Sequence, residues 1–210
     1  MGVVWAALML AALWMSLKTV MNGCGVDPDS IMALTLWQGI TAHGLGWVSG
    51  FSFTPDNWLF SIMPVDFLGF VLFGARAWVV VASGWLVLAL SALAAGWLAA
   101  RLGAGRAAYA VPLLLLLVGW YAQDPGYVAY PTSHDVTNLL GILALLCLCR
   151  LIQGGGRGWL AGLGLLLFMG TLADPWMMAA YDVPVLLVVG WEVWRGARLG
   201  AVVLVVLGVM

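Results

Sequence analysis

Between Arg76 and Arg101 the chain runs for 24 residues, Ala77–Ala100, without one charged side chain. A helix of that length reaches about 36 Å, enough to cross the roughly 30 Å hydrocarbon layer of a bilayer. Further uncharged runs cover residues 1–17, 30–55, 107–123, 136–149, 158–173 and 199–210. Only 8% of the residues are Asp, Glu, Lys or Arg and the mean hydropathy is +1.07, against about 25% charged in soluble domains. So few charges cannot cover a water-facing surface, which excludes a soluble enzyme and a disordered linker. A formal net charge of -1 leaves no basic footprint for nucleic acid. The runs are continuous rather than alternating, which favours helices over a β-barrel.

The expected fold class is therefore all-α, a single transmembrane helical domain over residues 1–210 with about seven membrane segments. The first segment covers about Val3–Met21; with no basic region before it and no convincing small-residue cleavage site, it reads as a retained helix. After Ala77–Ala100 come segments at about 107–123, 135–152, 157–173, 183–195 and 199 to the end. Several are short, since sixteen helical residues reach only about 24 Å, and Pro112, Pro175 and Pro184 mark expected breaks or caps. Many of the 13 Trp sit near the ends of runs, as an interfacial belt requires, and the 27 Gly suit close helix contacts.

Because charges are rare they can be read one by one. Arg101 with Arg106, Arg150 with Arg157 and Arg195 with Arg198 mark three basic connections, separated by the acidic connections Asp124 to Asp135 and Asp174 to Asp182. The positive-inside rule places the Arg pairs in the cytoplasm, and counting back puts the N-terminus there too. A long first outer loop, about residues 22–76, follows. Within it, Ile62–Gly74 is apolar but short and contains Asp66, so it is expected to lie along the interface or re-enter. Asp29 or Ser30 is expected to cap a short interfacial helix with Ile31, Leu34, Trp37 and Gln38 on its apolar side. A second such element is expected near Asp56, with Trp58, Leu59, Ile62 and Met63 as its apolar members.

The carboxylates gather on the outer side. Asp27, Asp29 and Asp56 lie in the first loop with His43; Ser133, His134 and Asp135 stand at the mouth of a later helix, with Asn138 one turn further in; Asp174-Pro175 opens a third turn. Carboxylates beside a lipid headgroup suit a general base or a divalent cation on a phosphate, with Asp27 and Asp135 as candidate metal ligands. The same residues also serve as turns and caps. Asn138 is expected in a helix–helix contact or in the same site. Consecutive Ser133, His134 and Asp135 have the wrong geometry for a hydrolase triad. Cys147 and Cys149 sit in an apolar run, where inert thiols are expected, and Gly154-Gly155-Gly156 lacks the lysine of a phosphate loop.

A first helix, a long outer loop with an early aspartate and interfacial helices, then closely spaced spans resembles the membrane half of GT-C type glycosyltransferases. The resemblance is architectural and covers about residues 1–195. It implies transfer of a sugar from a polyprenyl-phosphate donor on the outer face of a bacterial cytoplasmic membrane. It places catalytic residues at Asp27, Asp29 and Asp135, with His43, Asp56, Trp58, His134, Asn138 and Asp174 toward the substrate. Enzymes of that type are generally longer, and the closing run RLGAVVLVVLGVM implies a truncated product or a subunit completed by a membrane partner. The rival expectation is a non-catalytic membrane subunit, with a transport or assembly function, whose acidic turns are caps.

Overall fold

The structure, a computed structural model, describes residues 2–23, 31–53, 58–118, 134–196, 202 and 206–208. These form helices joined by turns, with no strand among the described residues. The helices are α1 (Gly2–Gly23), α2 (Met32–His43), α3 (Met63–Phe73), α4 (Ala77–Arg101), α5 (Ala110–Val118), α6 (Asp135–Ile152), α7 (Arg157–Ala173) and α8 (Val183–Trp194). Three of the described helices, α1, α4 and α6, are long and apolar enough to cross a membrane. This is fewer than the seven segments expected. The shortfall has local reasons: α7 is 17 residues, about 26 Å of helix, and the 12 residues of α8 continue from a π-helical turn, Met178–Asp182, so that this run is not one regular α-helix. The described part of α5 is 9 residues, and most of the last run lies outside the described residues.

The 25 residues of α4 form the hub, because α1, α3, α5 and α6 all pack on it. Its Leu-, Val- and Ala-rich sequence has no Pro to interrupt the hydrogen-bond ladder, and Arg101 in the last turn complements the negative end of the dipole. Ala12 and Val20 of α1 bury with Val81, Leu88, Ala89 and Ala92 of α4 and Leu116 of α5. The Trp85 indole N–H donates to Ser16 Oγ at 3.0 Å across this seam, a polar tie between two otherwise apolar helix faces. Pro112 of α5 lies against Gly96, where a Cβ would stand 2.8 Å from Pro112 Cδ and 3.2 Å from the Ala108 carbonyl. Small residues let the two backbones approach.

The first loop is a packed unit. Trp58–Phe60 forms a 3₁₀ turn and α3 begins at Met63 with Pro64 in its first turn, where the missing N–H costs nothing. The second expected element thus starts as this turn, whereas Asp27, Asp29, Ser30 and Asp56 lie outside the described residues. At 11 residues, about 16 Å, α3 is too short to cross a bilayer by itself. Gly74, at φ +82°, lets the chain reverse so that α3 returns along α4, with Phe73 against Trp78 and Gly69 against Val79.

The buried side of α2 differs from the expected one. Met32, Ala33, Leu36 and Gly39 are buried, whereas Ile31 and Gln38 are exposed. The helix is turned to place Trp37 between Phe67 and Phe70 of α3, at centroid distances of 5.4 and 5.9 Å, and to seat the Trp47 indole on Gly39. Aromatic packing against α3, which a single-helix pattern does not contain, decides the face.

Cys147 is buried and Cys149 half-buried, both as free thiols, in the α6–α7–α8 core with Ala144, Leu163, Leu167, Val185 and Val189 around Cys147. Replacing Gly96 with Leu forces Pro112 off α4 and is expected to cost about 1–3 kcal/mol. Thermal unfolding in detergent should show a lowered midpoint, while Gly190→Leu, at a site with open space, should leave it nearly unchanged.

Candidate functional site

Asp174 is the organising residue. It closes α7, is fully buried, and its carboxylate collects three donors. The following peptide N–H of Trp176 donates to Oδ1 at 2.9 Å, so Asp174-Pro175-Trp176 makes an Asx turn of the kind that Asp-Pro favours. On the other oxygen, the Thr137 hydroxyl donates to Oδ2, and the His134 imidazole Nδ1 lies 2.6 Å from it. With Nδ1–H given to the carboxylate, the imidazole presents Nε2 outward, and 44% of the His134 side chain is exposed. An aspartate that fixes tautomer and orientation in this way readies a histidine for proton transfer.

The imidazole sits between two indoles. Trp58, buried in the first-loop core, has its ring centroid 6.4 Å away, and the exposed Trp176 meets it edge-on at 5.6 Å. The 58–60 turn packs on both α3 and α7, so the first loop is carried to the His134–Asp174 pair. A half-exposed imidazole held by a buried carboxylate, with one indole tilted beside it and another at its edge, combines a polar group with aromatic neighbours as small-molecule sites do.

Asp135, on the first turn of α6, is buried and its carbonyl accepts the Ser91 hydroxyl of α4 at 3.5 Å. His134 occupies the N-terminal boundary of α6 without a capping hydrogen bond of its own side chain, and Asp135 lies in the first turn, where its charge suits the positive end of the helix dipole. Ser133 lies outside the described residues. Asn138 makes the expected helix contact, its Oδ1 accepting the Tyr181 hydroxyl at 3.0 Å. The Tyr181 ring is seated on Gly141, where a Cβ would overlap it. His43 stands apart, stacked on Trp47 at 4.8 Å.

The structure thus unites His134, Asp174 and Trp58 and adds Thr137 and Trp176, which the sequence reading passed over. Both carried a signal. Thr137 lies three residues after His134, on the same helix face, and Trp176 is two residues after an Asp-Pro. Among the described residues no three His, Cys, Asp or Glu side chains gather as metal ligands. Both oxygens of Asp174 accept from donors of this chain.

Asp66 is a second buried carboxylate of another kind. It lies on α3, fully buried, and neither oxygen has a hydrogen-bond partner among the described residues. The Ser83 hydroxyl beside it donates to the Val79 carbonyl instead. Burial pushes the Asp66 carboxyl up to about 7, with Ser83 tempering the rise. No family model matches the chain, and neither does any curated protein or solved structure.

Two outcomes follow. Asp174→Ala leaves three donors without their acceptor and is expected to destabilise by roughly 2–4 kcal/mol, well beyond His134→Ala, in the same unfolding assay. For Asp66 the folded carboxyl titrates near 7 and the unfolded one near about 4. The unfolded chain therefore loses its proton first as pH rises. The Asp66 contribution to stability is therefore greatest at or below about pH 4, falls through the window up to about 7, and levels off above it. Asp66→Asn should flatten unfolding midpoints measured across that window and raise the midpoint at pH 8.

Proposed function

We propose that the chain is a polytopic membrane protein with a GT-C-like core that transfers a sugar from a polyprenyl-phosphate donor. In this reading α5, α7, α8 and the final run complete about seven segments around α1, α4 and α6. The N-terminus is cytoplasmic, the membrane is a bacterial cytoplasmic membrane, and the site faces outward. The observation that carries the proposal is the His134–Asp174 pair at the mouth of α6, held between Trp58 and Trp176.

Asp174 accepts the Nδ1 proton of His134 and holds the ring. Nε2 takes the proton of the acceptor hydroxyl as that oxygen attacks the anomeric carbon. The bond from that carbon to the phosphate oxygen breaks, and the electron pair leaves with the polyprenyl phosphate. Trp58 and Trp176 orient the sugar ring, so that attack needs little reorganisation. The resemblance assigns the base to Asp27, with Asp29 beside it, and paired variants separate the two assignments.

The rival is a non-catalytic membrane subunit in which the same pair clamps α6 to the end of α7, a reading favoured by Asp174 having all three donors within the chain. The discriminating experiment supplies purified protein with polyprenyl-phosphate sugars and acceptor alcohols and follows release of the lipid phosphate. His134→Ala is expected to lower the transfer rate by about 10²–10⁴-fold in protein that is still folded, with a smaller loss of unfolding midpoint than Asp174→Ala. Asp27→Asn with full activity would move the base from Asp27 to His134. Activity indifferent to both substitutions, or absent for every donor in the wild-type protein, supports the clamp.

A further inference from the structure

At the end of α1 opposite the first loop, the molecule carries an apolar groove of about 540 Å³, lined by Gly2, Trp5, Ala6, Met9, Arg106 and Tyr109. A second hollow of about 280 Å³ shares Met9 and Tyr109 and continues toward Trp97 and Pro112. The groove is built by the turn Gly105–Tyr109, which brings Tyr109 to stack on Trp5, with ring centroids 5.7 Å apart and planes at 23°. The Trp5 and Tyr109 rings line it together with Gly2, Ala6 and Met9, and its one charged lining residue is Arg106.

That arginine is exposed and, among the described residues, no carboxylate pairs with it. The reason is compositional: residues 2–23 and 77–118 contain no Asp or Glu at all. Arg101 nearby in sequence is likewise without a carboxylate partner and lies over the Trp97 ring at 5.8 Å. The combination is specific in its chemistry. Two cations with no acidic neighbours at the end of membrane-length helices offer charge to a phosphate at headgroup depth, and the adjoining groove offers an apolar wall to an acyl chain.

We propose that this groove is a binding site for one anionic phospholipid, its phosphodiester on Arg106 and one acyl chain along Trp5, Ala6, Met9 and Tyr109. The proposal rests on the membrane reading of α1 and α4 and is independent of the glycosyl-transfer reading. A zwitterionic lipid gains little there, because its own cation faces Arg106 and Arg101. A second copy of this chain has no acidic residue in α1, α4 or α5 to meet the arginines.

The test is native mass spectrometry of the purified full chain, delipidated and then exposed to phosphatidylglycerol or phosphatidylcholine with the same acyl chains. One arginine near a headgroup contributes about 1 kcal/mol, so preference for the anionic lipid should be about fivefold. Arg106→Gln should reduce the preference to near parity and Arg106→Lys should restore most of it. Arg157→Gln, which removes an arginine outside the groove, should leave it intact. Equal retention of the two lipids overturns the site. So does an equal loss in Arg106→Gln and Arg157→Gln, or a dimer that forms as lipid is displaced.

Discussion

The Asp174 carboxylate is the interaction on which the junction of α6 and α7 depends. A fully buried carboxylate is tolerable only when donors surround it, and here they come from two places. The Trp176 peptide N–H shapes the turn out of α7, and Thr137 and His134 belong to the first turn of α6 and its boundary. One group therefore sets the exit of α7, the position of the α6 mouth, the tautomer of His134 and the placement of the Trp176 ring. Asp66 shows the contrast. It is equally buried, but neither oxygen has a hydrogen-bond partner among the described residues, and burial pushes its carboxyl up to about 7.

The rest of the helix packing relies on small residues and single polar ties. Gly96 under Pro112, Gly141 under Tyr181 and Gly170 against Met177 bring helices close enough for dispersion to act. Ser16 with Trp85, Asn138 with Tyr181 and Thr171 with Asp182 at 2.6 Å fix their register. In a lipid environment hydrophobicity does not distinguish a neighbouring helix from an acyl chain, so such contacts carry the specificity. Charged residues accordingly stay near helix ends, with Arg150 over Trp159 and Glu192 3.7 Å from Arg195.

Helix boundaries were legible wherever charge or glycine punctuates the chain. Ala77–Ala100, 135–152 and 157–173 match α4, α6 and α7 because Arg101, Asp135, Arg157 and Asp174 stop or start each apolar run. The face of α2 was not legible, because Trp37 and Gly39 answer to Phe67, Phe70 and Trp47 rather than to their own helix. His134 and Asp174 could each be picked out as polar residues at a helix entrance. Their pairing across 40 residues could not, since it requires α6 and α7 to pack side by side. The aspartates that the family resemblance emphasises, Asp27 and Asp29, fall outside the described residues, so the site described is the part built by α6, α7 and the Trp58 turn.

In the proposed reading the His134–Asp174 pair and its two neighbouring indoles form one site for a polyprenyl-phosphate sugar. Photocrosslinking addresses this: a donor analogue with a photoreactive group on its sugar is irradiated with the protein in bilayers, and labelled peptides are mapped. Labelling should concentrate on peptides containing Trp58, His134 and Trp176 and be suppressed by unlabelled donor. Labelling spread over the helix surfaces at large, or unchanged by competitor, rules the site out.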